Sequence, residues 1–211
     1  MKVYCYYTPS QHLEMVSEWR LIQLWIKQWS KFYEPVVLNE WHASKHPYYP
    51  AYLAAVDALP SVNPGGYDRS CYLRWLAMAQ VLGPKTVGLM SDYDVMAYGA
   101  WTERKLDPER LNFYGNTVPC LVQGTGKTFL DQCIRFADYQ LQPGDDCDGR
   151  QHISDMMITT RQDELTLRRL KTVKEFGEKG WERAGAVHYA NARMTPAGLN
   201  PRCQFIPSLR S

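Results

Sequence analysis

Thr86-Val87-Gly88-Leu89-Met90-Ser91-Asp92-Tyr93-Asp94-Val95 is the stretch whose reading decides the fold. An uncharged apolar run ends abruptly in two aspartates one residue apart. Such a run predicts a buried strand whose polar end lies at the edge of a sheet. In open α/β sheets, ligands bind at the carboxyl edge of the strands. Alternation along an extended backbone aims Asp92 and Asp94 the same way and Tyr93 the other. Two adjacent hard oxygen donors suit Mg²⁺ or Mn²⁺, ions that commonly bridge to phosphate oxygens. Asp146 and Asp148 repeat the spacing in a polar loop, so position rather than spacing has to single out Asp92 and Asp94.

The segment that feeds this strand is a predicted helix over 68–82. Within it Arg74 lies among Leu73, Trp75 and Leu76, on a helix that is apolar on most sides. A buried guanidinium needs an anionic partner. A structural salt bridge or a snorkelling stem would satisfy Arg74. The expectation taken here is a partner in the aspartate site, because the helix leads directly into the strand that carries Asp92.

Upstream, 2–7 has the β-branched and aromatic content of a first buried strand. Thr8 and Pro9 carry a helix-opening signal, completed by Gln11 as a capping box. Apolar positions Leu13, Val16, Trp19, Ile22, Ile26 and Trp29 then recur at helical spacing, predicting a helix to about 32. A second strand over 35–38 completes strand, helix, strand, the start of an α/β sheet with a right-handed crossover. The stretch 41–50 reads as an aromatic loop whose His42 and His46 lack compact ligand spacing. A short helix over 51–58 and a turn over 63–66 follow.

Downstream, strands are expected over 111–114 and 119–122. Gln123-Gly124-Thr125-Gly126-Lys127-Thr128 looks like a phosphate loop, but the required earlier glycine position is Leu121. A turn beside a ligand cleft, or a plain helix entry before 129–139, fits better. The acidic loop over 142–150 reads as solvated. His152 and Asp155 open a further helix, where Asp155 is either a cap or a group aimed into the site. A charged helix over 163–179 is expected on the outside, and a last short strand carries His188 and, slightly later, Arg193.

Composition narrows the function classes. The chain has 211 residues and a formal net charge of +2, which gives no reason to expect nucleic acid or an anionic membrane as a partner. Six cysteines without a Cys-x-x-Cys pair favour a reducing compartment, and no apolar run reaches membrane-spanning length. The start lacks the pattern of a signal peptide. The expected location is therefore cytoplasmic. Residues 1–211 are read as one domain, either a monomer or the first unit of a longer polypeptide. The 14 tyrosines and 7 tryptophans suit sugars and nucleobases as readily as an aromatic core.

Taken together, Tyr72-x-Arg74-Trp75-Leu76, the run 87–91, and Asp92-Tyr93-Asp94-Val95 resemble the core of GT-A glycosyltransferases with a DxD motif. The likeness is strongest to the retaining, glycogenin-like and bacterial galactosyltransferase type. His188-Tyr189-Ala190-Asn191-Ala192-Arg193 is similar to the late His-x-x-Gly-x-x-Lys segment of those enzymes. It departs from that pattern at the glycine, and its arginine comes one residue early. The compact length also resembles glycosyltransferase domains encoded by large DNA viruses of algae, for which the cytoplasm would be the host's.

The resemblance implies a single GT-A (Rossmann-like) domain, with a mixed, mostly parallel central sheet flanked by helices. It implies Mn²⁺ or Mg²⁺ held by Asp92, Asp94 and His188, with Arg74 or Arg193 assisting at the diphosphate of a UDP-sugar. Tyr6, Tyr7 and Thr8, with Tyr93, would lie beside the nucleotide. Asp155 would contact the donor sugar or the reaction centre, and Gln123, Gly124, Thr125 and His152 would face donor sugar or acceptor. The acceptor would be a glycan or glycoprotein, and transfer would proceed with retention, the alternative being inversion with Asp155 as general base.

Two rivals are weaker. A sugar nucleotidyltransferase needs a glycine-rich basic loop after the first strand, and Tyr7-Thr8-Pro9-Ser10 is neither. A non-catalytic carbohydrate-binding module leaves Asp92, Asp94 and Arg74 without a role.

Overall fold

Lys2–Tyr6 (β1) pairs in parallel with Glu34–Leu38 (β2) on one side and with Val87–Ser91 (β3) on the other. Beyond β3 lies Leu121–Thr125 (β6), antiparallel to it, and then Asn112–Phe113 (β5), antiparallel to β6. The sheet order is β2-β1-β3-β6-β5. Four strands thus run one way and β6 alone runs against them, the mixed and mostly parallel sheet that the sequence predicts. These features come from a computed structural model, which describes residues 1–9, 15–63, 66–99, 107–114, 118–161 and 185–188.

The strands alternate between two cores, as the period of two requires. Val3, Cys5, Leu89 and Leu121 face a cluster built around Trp25 and Trp29 of Met15–Trp29 (α1). Tyr4, Met90 and Val122 face the opposite cluster, filled by Tyr67–Leu82 (α4) and Gly126–Ala137 (α5) with Trp75, Phe129 and Phe136. Helices therefore cover both faces of an α/β sheet. Trp25, Trp29 and Trp75 have no exposed surface, and each is worth about 3–5 kcal/mol against truncation to alanine. Among the described residues no helix is long and apolar enough to cross a membrane.

Several expected boundaries shift. Pro9 stands outside any helix, and the described helix ends at Trp29 rather than 32. Trp19 is 53% exposed, on the flank of the face that Leu21, Ile22, Trp25 and Trp29 bury. The expected loop over 41–50 instead holds Glu40–Ser44 (α2) and the start of Tyr49–Asp57 (α3). Pro50 sits in the first turn of α3, where its missing N–H is not needed. The acidic loop contains a small hairpin, Asp146–Cys147 (β7) with Arg150–Gln151 (β8), turned by Asp148 and Gly149 at positive φ. Its Asp145 is not solvated. It is 3% exposed and accepts from Gln142 N–H at 2.6 Å, from the Tyr139 hydroxyl at 3.1 Å and from Arg161.

Two late elements complete the frame. Ser154 caps the short helix Asp155–Thr160 (α6), and Val95–Ala97 (β4) pairs antiparallel with Ala186–His188 (β9). The helix expected over 163–179 lies outside the described residues.

Candidate metal centre

Because β1, β2 and β3 run parallel, their carboxyl ends share one edge of the sheet. Tyr7, Asn39 and Asp92 follow directly at that edge. Tyr7 is held there by its N–H to Leu38 O at 2.9 Å. Beyond Ser91 the chain does not stay extended. Asp92 N–H bonds Cys120 O at 2.7 Å, and Val95 N–H bonds Asp92 O at 3.0 Å, closing a turn over Tyr93 and Asp94. The carboxylates therefore converge through a turn, which corrects the expectation of simple strand alternation. Helix α1 fixes the turn from behind: Trp25 Nε1 donates to Ser91 Oγ at 3.2 Å, and Trp29 Nε1 to Val95 O at 2.8 Å. Tyr93 meets Tyr7 edge-on, with ring centroids 6.3 Å apart.

The register of β4 and β9 sets His188 opposite Val95, one residue from Asp94. The imidazole Nε2 lies 3.4 Å from Asp94 Oδ1. One ligand atom each from Asp92, Asp94 and His188 falls within 4.8 Å of the others, the one such metal-capable group among the described residues. An ion with donors at about 2.1 Å spaces those donors roughly 3–4 Å apart, so small side-chain adjustments close this set. Two carboxylates and an imidazole fit Mn²⁺ better than Mg²⁺, which prefers oxygen alone.

Arg74 supplies the charge partner on the other side. It is 9% exposed, and its guanidinium spans two carboxylates, Nη1 donating to Asp92 Oδ1 and Nη2 to Asp155 Oδ2 at 2.6 Å. Nε is committed to Cys71 O at 3.1 Å. Trp75 Nε1 adds a second donor to Asp155 Oδ2 at 3.0 Å. Burial works against the Arg74 charge, but Asp155 and Asp92 outweigh it and keep the group firmly protonated. Burial also raises the pKa of Asp92, against the pull of Arg74. At His188 burial favours the neutral ring, yet the charge and hydrogen bond of Asp94, with Cys120 beside it, raise the pKa to about 11. The cluster holds three carboxylates and one guanidinium, so with a neutral imidazole it carries the charge that one divalent cation cancels.

Most of the expected site gathers here: Asp92, Asp94 and His188 at its centre, Arg74 and Asp155 behind, Tyr7 and Tyr93 beside. Tyr6 ends β1 and Thr8 follows at the same edge. Gln123, Gly124 and Thr125 do not join them. Strand β6 runs the wrong way, so Thr125 pairs with Val87 at the opposite end of β3. Gln123 is fully buried and accepts from the Tyr114 hydroxyl at 2.8 Å, and Thr125 caps α5. The glycines of that segment serve packing, since a side chain at Gly126 would strike the backbone of Gly83 and one at Gly124 would meet Leu111 and Thr128. His152 stands apart from the metal ligands, accepting from Val62 N–H at 3.3 Å. Arg193 lies outside the described residues.

Sequence reasoning missed Trp75 and Cys120. The tryptophan beside Arg74 carried a signal, since a buried indole N–H needs an acceptor. Cys120 had none, because its role is a carbonyl and a neighbour to His188 set by tertiary packing. No protein-family model matches this chain, and no curated protein matches it significantly.

Proposed function

We propose that this protein is a metal-dependent glycosyltransferase of the GT-A type, moving a sugar from a nucleoside-diphosphate sugar, UDP-linked by preference, to a glycan or glycoprotein. The observation that carries this reading is the charge chain at the carboxyl edge of the sheet: Asp94 and His188 beside Asp92, Asp92 on Arg74, and Arg74 on Asp155. A divalent cation held by Asp92, Asp94 and His188 supplies Lewis-acid stabilisation of the charge that builds on a departing diphosphate.

The chain's own residues do the rest. Arg74 holds Asp92 and Asp155 in fixed positions, so the site needs little reorganisation as charge develops. Tyr7 and Tyr93 form an aromatic edge beside the ligands, suited to a nucleobase. Asp155 has Oδ2 committed to two donors, which makes it a positioning group rather than a strong general base. That favours retention, with the departing diphosphate accepting the proton of the incoming hydroxyl.

The test is incubation with a panel of UDP- and GDP-sugars plus Mn²⁺. The expected result is slow hydrolysis of one donor, releasing the nucleoside diphosphate and stopping on chelation. Cleavage of the donor by added pyrophosphate, giving nucleoside triphosphate and sugar 1-phosphate, would point to a nucleotidyltransferase. Sugar binding indifferent to metal and nucleotide would point to a binding module.

A further inference from the structure

The amino end of α4 borders a second recess that the metal centre does not use. It is a cavity of about 290 Å³ between α3, the segment 59–63, the first turns of α4 and Ile153. Val56, Leu59 and Ile153 give it apolar walls, and Asp57, Asp68 and Arg69 give it a polar rim. Asp68 is 5% exposed and rigidly held, each carboxylate oxygen accepting from Asn63 Nδ2 at 3.1 Å and Oδ2 also from the Ser61 hydroxyl. His152 Nδ1 lies 3.8 Å from Asp68 Oδ2 and accepts from the Val62 N–H at 3.3 Å.

Arg69 is pre-set in the same way. Its Nη2 donates to Glu40 Oε1 at 3.0 Å, while Nε has no hydrogen-bond partner and Asp57 Oδ1 stands 3.8 Å off. The recess is joined to the metal centre through two shared segments. Tyr72 donates its hydroxyl to Ile153 O at 3.2 Å, and two residues further along each segment lie Arg74 and Asp155.

A carboxylate acceptor at Asp57, a guanidinium donor at Arg69 and apolar walls in one recess are what a polyol ring requires: hydroxyls that donate and accept, and C–H faces that shed water. Acidic groups outnumber the arginine, which disfavours an anion. A volume at the small end of ligand pockets, about 300–1,000 Å³, admits one ring rather than an oligosaccharide. We propose that this recess is a subsite for a single neutral pyranose ring, bound through Asp57 and Arg69, with Asp68 holding the loop over 61–63 in place behind them. Resting on the glycosyltransferase reading, the ring is the donor's sugar or the acceptor's terminal sugar.

The test titrates the full chain with methyl glycosides of glucose, galactose, mannose, rhamnose, xylose and N-acetylglucosamine, following backbone amides by NMR. One glycoside is expected to give saturable shifts confined to amides 56–63 and 66–72. Binding should weaken about tenfold in Asp57→Asn and in Arg69→Gln, each checked for an unchanged circular dichroism spectrum. Displacement of the glycoside by a UDP-sugar with Mn²⁺ assigns the ring to the donor; retention of it assigns the ring to the acceptor, and both support the subsite. Absence of saturable shifts with every glycoside overturns the subsite, as does binding unchanged in both variants, even where metal-dependent donor hydrolysis stands. Glycoside binding here without any donor hydrolysis supports the subsite and overturns the transferase reading instead.

Discussion

His188 Nε2 lies 3.4 Å from Asp94 Oδ1 because β9 pairs with β4 in a register that sets His188 opposite Val95. A one-residue slip would turn the imidazole to the other face. The ring is protonated at neutral pH, its pKa raised to about 11 although burial opposes the charge. It must shed that proton to ligate a metal. Apparent Mn²⁺ affinity of the wild type should therefore rise by about tenfold per pH unit below pH 10 as far as His188 governs it. His188→Ala should bind Mn²⁺ about 100-fold more weakly and lose that part of the slope. Calorimetric titrations at pH 6, 7 and 8 check this. Equal slopes in both proteins would remove His188 from the ligand set.

The metal-free protein gives the opposite sign for stability. A histidine whose folded pKa is raised contributes fully below its unfolded value, near 6.5, and the contribution fades as pH rises through about 11. Without metal, His188→Ala should lower the melting temperature at pH 6, and the gap from wild type should close towards pH 11.

Arg74 is the cation that pairs with both Asp92 and Asp155. Arg74→Met should cost about 3–5 kcal/mol in urea unfolding, the scale for breaking a buried ion pair. Asp155→Asn removes one of the stranded charges, so the double variant should be less unstable than the sum of the singles, with a coupling of roughly 1–3 kcal/mol. Additivity within about 0.5 kcal/mol would show that the 2.6 Å contact carries no coupling.

Asp145 supplies a second pH test, away from the metal site. Burial raises its pKa, but the Gln142 N–H, Arg161 and Tyr139 outweigh this and the net shift is downward. A lowered carboxylate contributes stability above its unfolded pKa and loses it as pH falls through the folded one. Asp145→Asn should lose about 1–3 kcal/mol at pH 7. Thermal melts below pH 4 should show the difference shrinking. A difference independent of pH would contradict the ionic account.

The parallel pairing of β1 and β2 was legible because two apolar runs flank an amphipathic helix, whereas the place of β3 beside β1 is set by tertiary packing. Asp92, Asp94 and Arg74 were legible for a local reason: charges at the end of, or inside, apolar runs demand partners. Gln123 to Thr125 misled because the glycine-rich string carries no record of strand direction, and β6 is the reversed strand. Its glycines answer a backbone contact with Gly83 that is distant in sequence. Accordingly Gly126→Ala should destabilise the fold, whereas Lys127→Ala, which only breaks a surface pair with Asp131, should leave nucleotide binding unchanged. The turn over 92–95 was illegible too, since the Cys120 carbonyl that anchors it comes from another strand's approach.

The most direct test of the metal-diphosphate site is UDP binding with and without Mn²⁺ in the wild type and Asp94→Asn, side by side with their melting curves. The predicted result is Mn²⁺-dependent binding in the wild type, lost in Asp94→Asn while the variant stays folded. Unchanged, metal-dependent UDP binding in folded Asp94→Asn would contradict the account at its centre.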